Sequence, residues 1–113
     1  HIVLHAHGDN HDGWLRLVEA WSHLEHPPHL TLTHQANATV EGMHNPGGFT
    51  DGDRALCFIH ALGRPLDEVE CVGFRTDVIG SWSGTTNPAR KRRKLAWMEE
   101  SMRRLGLEHH LIR

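Results

Sequence analysis

The chain has 113 residues with a formal net charge of −2, 38% hydrophobic and 23% charged, which suits one folded domain with a modest core. No apolar run approaches the roughly 18 residues that span a bilayer, nothing reads as a secretory signal, and two cysteines, Cys57 and Cys71, do not make a disulfide framework. A membrane span and a secreted disulfide scaffold are thereby set aside, and the expected setting is cytoplasmic with both thiols reduced and buried.

The chain opens on His1 rather than Met and runs at once into Ile2-Val3-Leu4, so it reads as a domain lacking its N-terminal part. Residues 2–7 predict a short buried strand. Residues 12–25 predict a helix, with Trp14, Leu17, Val18, Trp21 and Leu24 on one apolar face and Pro27-Pro28 as its stop. Residues 30–33 predict a second strand. The stretch "QANATVEGMHNPGG", residues 35–48, predicts a long loop of the kind that is often functional.

Thr50 and Asp53 have the spacing of a capping box and predict the start of a second helix. Ala55, Phe58, Ile59 and Leu62 make its expected core face, and Gly63 its stop. Residues 69–74 predict a third strand, followed by a Gly/Ser/Thr loop over 76–87. The last helix should begin at Pro88, pack through Leu95, Met98, Met102 and Leu105, and end at Gly106. Strand and helix alternate three times, so the expected fold is α/β, a mainly parallel sheet with βαβ crossovers, in a single domain over residues 1–113.

In such sheets ligands gather beyond the carboxyl ends of the strands, where three polar stretches fall. In "HAHGDN", Gly8 permits a sharp turn and Asp9 or Asn10 can cap the next helix, but a capped turn does not explain His5 and His7. Those two alternate about Ala6 and share one strand face, a pattern that also suits zinc, although no further ligands follow at familiar spacing. In "TDGD", Asp51 and Asp53 open a helix, where acidic residues are favoured in any case. With Asp9 they also suit magnesium, which takes oxygen ligands and keeps waters and substrate phosphates in its shell. Arg54 can hold a phosphate or pair with its acidic neighbours.

Charge is uneven. Residues 1–89 carry four Lys/Arg against eleven Asp/Glu, a net −7, while residues 90–113 carry eight against three, a net +5. Arg90, Lys91, Arg92, Arg93 and Lys94 occupy the first turns of the last predicted helix, the end where cations are disfavoured. A solvated face is the ordinary reading of such a run. Its position suggests an anion nearby instead, with Ser81, Ser83, Thr85 and Thr86 as hydroxyl donors. No nucleic-acid motif accompanies it. Trp14 and Trp21 suit a core, Trp97 a partly buried place, and Trp82, in a Gly/Ser loop, could cover a flat ring.

Taken together, "HAHGDN", "GGFTDGDRA" and the K-x-x-K-L of Lys91 to Leu95 resemble the archaeal 6-hydroxymethyl-7,8-dihydropterin pyrophosphokinase family. That family is similar in fold to the catalytic domain of thiamin pyrophosphokinases, so the resemblance implies a three-layer domain. It covers roughly residues 1–107, and the first two motifs are the specific ones. It implies transfer of diphosphate from ATP to the hydroxymethyl group of a reduced pterin, with release of AMP. The step would depend on Mg²⁺ and belong to tetrahydromethanopterin or folate-type cofactor synthesis.

Position by position, the resemblance implies catalytic roles for His5, His7, Asp9, Asn10 and Asp53, with His5 or His7 orienting the acceptor hydroxyl or taking its proton. It implies Asp9, Asp51 and Asp53 at the metal, and Gly8, Gly48, Thr50, Gly52, Arg54, Lys91 and Lys94 around ATP. Two departures stand out. The family's Asp-rich "DLDG"-like metal motif has no counterpart here, which implies that these residues need preceding sequence for activity. Its "GMDFG" appears as "GFRTDVIG", where Gly73 aligns but Asp77 is displaced.

The partners expected are small molecules, ATP and a reduced pterin, with no nucleic acid and no membrane. An exposed first strand leaves an edge open to a homo-oligomer. The alternatives are a pyrophosphokinase for another hydroxymethyl heterocycle such as thiamin, or a non-catalytic nucleotide- or metal-binding module.

Overall fold

Ile2, Val3 and Leu4 do form a strand, β1 (Ile2–His5), in the computed structural model, which describes residues 1–112 apart from the side chain of Trp82. The reading of Trp82 as cover for a flat ring therefore lies outside the described residues. The chain divides into two units, His1–Asn45 and Pro46–Arg113.

The first unit is a three-stranded parallel sheet, consistent with the expected α/β class. β2 (Leu30–Thr33) lies at its centre. Ile2 pairs with Leu30 and His5 with Thr33, and the helix α1 (His11–Ser22) makes the crossover between these strands. The third strand is not the predicted one. It is β3 (Met43–His44), inside the predicted loop, where Met43 pairs with Leu32 and His44 with Thr33. Two residues carry no legible alternation, so only the partner strand defines them.

α1 is shorter than the predicted 12–25, and a 3₁₀ turn (Gly8–Asn10) precedes it. Trp14, Val18 and Trp21 are half-buried, whereas Leu17 and Leu24 are exposed. The spacing i, i+4, i+7 defines the narrower stripe, and Leu17 lies to its side. Leu24 lies past the helix end.

The second unit holds α2 (Asp51–Ala61) and α3 (Pro88–Arg104). Leu95, Met98 and Met102 of α3 pack with Leu56, Cys71 and Leu107, and Leu105 flanks them, so the predicted seam is the core. Each such burial contributes about 1.5–3 kcal/mol relative to exposure. Pro88 stands in the first turn of α3, and Asn87 caps it by accepting the Arg90 N–H at 3.0 Å. Gly63 follows the end of α2 and Gly106 that of α3, as expected.

Two expectations for this unit are corrected. The buried residues of α2 are Asp53, Arg54 and Leu56, while Ala55 and Leu62 are exposed and Phe58 and Ile59 only half-buried. An apolar wheel places charged residues outward, and here a buried ionic cluster overrides it. Residues 69–74 form no strand. Their alternation is real, with Cys71 buried and Val72 81% exposed, but Gly73 turns at φ 75° and the sheet-like contact nearby among the described residues is an isolated bridge from Arg75 to Ile112. Cys71 is buried as predicted and Cys57 only half-buried; burial raises both thiol pKa values, and the Asp53 charge raises Cys57 further. No helix among the described residues is long and apolar enough to cross a membrane.

Candidate functional site

In the first unit the stretch "HAHGDN" is a knot tied by Asn10. Its Oδ1 accepts the His7 N–H at 2.7 Å and its Nδ2 donates to the His5 carbonyl at 3.1 Å. This folds the chain straight from β1 into the 3₁₀ turn. Gly8 is not needed for the bend: its φ is not positive, and a Cβ there would meet nothing within 4 Å. The sharp-turn reading of Gly8 is therefore corrected.

His5 Nδ1 lies 2.6 Å from the hydroxyl of Thr33, which is fully buried. The neighbouring His34 is buried too, with its Nδ1 accepting the Ala36 N–H at 3.1 Å. Thr33 and His34 carry no signal in the sequence, where they read only as strand and strand end. His7 is half-buried and Asp9 is exposed on the 3₁₀ turn.

In the second unit the motif "GGFTDGDRA" builds the start of α2 around one buried carboxylate. Asp53 accepts from the Thr50 N–H and hydroxyl through Oδ1, both at 2.6 Å, and from the Phe49 N–H through Oδ2 at 2.8 Å. It is 0% exposed. The predicted capping box is present, and Asp53 thus serves the cap with both oxygens. A metal or catalytic part for it would require giving up those bonds. Arg54 is likewise 0% exposed, and its Nε, Nη1 and Nη2 have no hydrogen-bond partner among the described residues. Burial lowers its pKa, against the raising charges of Asp51 and Asp53.

Gly48 lies directly against this cluster. Its φ is 87°, and a Cβ would stand 2.5 Å from Arg54 Cα and 2.6 Å from Arg54 N. Left-handed backbone and a main-chain clash together predict that Gly48→Ala loses about 3 kcal/mol of stability. The urea midpoint checks this, and an unchanged midpoint would mean that the loop yields freely. Gly52 is confined in a milder way, because a Cβ would meet the Phe74 ring at 3.0 Å.

A pocket of about 340 Å³ opens at this helix start. Thr50, Asp51 and Gly52 line it from α2, Lys91 from α3, and Phe74, Arg75 and Ser83 from the segment between the helices. Four of the predicted ATP or metal residues thus share one cavity: Thr50, Asp51, Gly52 and Lys91. Gly48, Asp53, Arg54 and Lys94 do not line it. Ser83 was expected as a hydroxyl donor. Phe74 and Arg75 stand in "GFRTDVIG", the altered counterpart of a family motif, but were not singled out within it, and they reach the cavity by tertiary packing. Arg75 is aligned by a two-point pair with Asp77, at 3.0 and 2.7 Å, which raises the arginine pKa and lowers that of the aspartate.

The five cations in the first turns of α3 are not equivalent. Arg90, Arg92 and Arg93 are exposed, while Lys91 and Lys94 are half-buried, and these are the two singled out by motif. A carboxylate, two hydroxyls and a lysine around a partly apolar cavity can hold a phosphorylated ligand with a flat organic part. Among the described residues no group of three or more His, Cys, Asp or Glu stands together as a metal cage.

The chain is 36% identical over 112 residues to a curated 6-hydroxymethyl-7,8-dihydropterin pyrophosphokinase of Pyrococcus furiosus. The match takes in 98% of the chain and 42% of that protein, so the chain spans less than half the length of this relative. No family model and no solved structure matches the chain.

Proposed function

We propose that the chain carries part of a 6-hydroxymethyl-7,8-dihydropterin pyrophosphokinase, an enzyme that moves diphosphate from ATP to the pterin hydroxymethyl group and releases AMP. The supporting observation is the pocket at the start of α2, where Thr50, Asp51 and Lys91 face one cavity in a chain 36% identical to such an enzyme. On the same likeness we propose the three-layer architecture of thiamin pyrophosphokinase catalytic domains, a cytoplasmic setting, and ATP and a reduced pterin as partners.

The reaction forms a bond from the acceptor oxygen to Pβ and breaks the bond from Pβ to the bridging oxygen of AMP. The acceptor proton goes to a base, for which His5 and His7 are the proposed residues. The His5 ring is held by the Thr33 hydroxyl, which suits a positioning part. Diphosphoryl transfer needs charge neutralisation more than a covalent nucleophile.

Lys91 faces the cavity and would meet phosphate there, with Lys94 one turn on. Asp51 and the hydroxyls of Thr50 and Ser83 are hard oxygen donors, which fits Mg²⁺ held by one or two carboxylates plus substrate phosphates. When bound, the ion would neutralise phosphate charge. Asp9 is proposed as a further metal residue, and Asn10 as tying the turn that presents it. Arg54 is proposed as a phosphate partner.

The test is the full-length protein with ATP, Mg²⁺ and reduced 6-hydroxymethylpterin, read as AMP. Transfer to thiamin but not to pterin would reassign the acceptor, and no transfer to either would overturn the enzyme. Asp51→Asn should lower turnover at least about 100-fold and the thermal midpoint only slightly, because the residue is exposed although its charge favours the Arg54 cation. A wild-type rate would remove Asp51 from the site.

A further inference from the structure

Phe49 and Trp97 form an aromatic stack on the surface of the second unit. Their ring centroids are 5.2 Å apart and the planes are inclined by 25°. Phe49 remains 41% exposed and Trp97 52%. The chain has only four Trp and three Phe, so leaving one of each in solvent, each covering only part of the other, is a feature to explain.

Both aromatic residues stand on hydrogen-bonded backbone. Phe49 is fixed through its N–H, which donates to the buried Asp53 carboxylate at 2.8 Å. Trp97 stands on α3, in regular helix, with the Ser101 hydroxyl donating to its carbonyl at 3.0 Å. Arg90, Arg93 and Lys94 precede Trp97 by seven, four and three residues and therefore share its helix face. Phe49 directly precedes Thr50 and Asp51, which line the pocket. An aromatic plane rimmed by cations, beside a cavity lined by a lysine and a carboxylate, matches a ligand that joins a flat base to a chain of phosphates.

We propose that the Phe49–Trp97 stack is the platform for the adenine of ATP, with its phosphates passing the rim of cations toward the cavity that Lys91 lines. This rests on the pyrophosphokinase reading for the choice of nucleotide. A reduced pterin is flat as well, but it carries no phosphate for the rim of cations to meet. Stacking is tolerant of base identity, so the platform binds the base without selecting it.

The experiment is equilibrium binding to the full-length protein of ATP and of inorganic triphosphate, each with Mg²⁺. Trp97→Ala should weaken ATP about tenfold and leave triphosphate unchanged, and Trp97→Phe should restore most of the loss. Phe49→Ala should act in the same direction. Unchanged ATP binding in Trp97→Ala overturns the platform, as does an equal loss for ATP and triphosphate. A loss confined to the pterin, or Trp97-dependent binding of a single-stranded oligonucleotide tighter than that of ATP, overturns it too. The two readings fail separately. Trp97-dependent ATP binding without AMP release fails the enzyme, and AMP release with Trp97-independent ATP binding fails the platform.

Discussion

Asp53→Asn is expected to destabilise the chain by about 3–5 kcal/mol, enough to remove a large part of the stability of a domain of this size. The carboxylate accepts three hydrogen bonds at 2.6–2.8 Å with no exposed surface. An amide can keep one oxygen on the two Thr50 donors, but its NH₂ then faces the Phe49 N–H, donor against donor. A buried donor left unpaired costs about 1–3 kcal/mol. The substitution also removes a negative charge close to the buried guanidinium of Arg54, for which Asp53 is one of the two stabilising charges. The urea midpoint decides the matter, and a wild-type midpoint would show that the cap is dispensable.

That result changes how activity data on this motif are read. Asp51 and Asp53 look interchangeable as metal ligands in "TDGD", yet one is exposed at a cavity and the other is sealed under a cap. Asp51→Asn should lose turnover and only a little stability, since its charge favours Arg54 but it serves no buried cap. Asp53→Asn should lose stability, and its turnover follows from that. Only the first substitution reports on chemistry.

The difference between the two aspartates also shows what a sequence can reveal. β1, β2 and α3 were legible because their signals are local: an apolar run, a proline in the first turn, a glycine past the last, and an apolar seam at helical spacing. The capping box of α2 was legible for the same reason. β3 was not, since two residues become a strand only when β2 lies alongside. Residues 69–74 have strand alternation but find no sheet edge beyond a single bridge, so they remain irregular.

At the site, Thr50, Asp51, Gly52 and Lys91 were found through their motifs, and the cavity brings them together. Phe74 and Arg75 lie in a stretch the motifs did mark, but which of its residues line the cavity depends on a path that the core sets. Asp53 was read as a cap or metal residue and Arg54 as a phosphate or ion-pair partner, and neither reading implies a sealed side chain, since charged side chains are rarely fully buried. Their burial is information that only the packed structure holds.

Arg54→Met is expected to separate stability from function most sharply. The guanidinium is fully buried, and its three nitrogens have no hydrogen-bond partner among the described residues. Burial lowers its pKa despite two nearby carboxylates, so the charged form is held at a cost. Methionine is unbranched and apolar and adapts to the same channel. Asp53 keeps its three donors when the cation is gone, so no acceptor is left unsatisfied. Loss of the cation also leaves the buried Asp53 carboxylate without its neighbouring positive charge, which offsets the relief of the unpaired guanidinium, so the variant should stay within about 1 kcal/mol of wild type. If the buried cation serves phosphate, turnover with ATP should meanwhile fall at least about 100-fold. A sealed guanidinium meets phosphate only after its side chain moves, and such a motion is easier for a group that no hydrogen bond retains. Thermal melting and AMP release, measured on the same preparation, decide both halves. A markedly lower melting point would make Arg54 a structural cation held by Asp51 and Asp53, and undiminished turnover would take it out of the phosphate site.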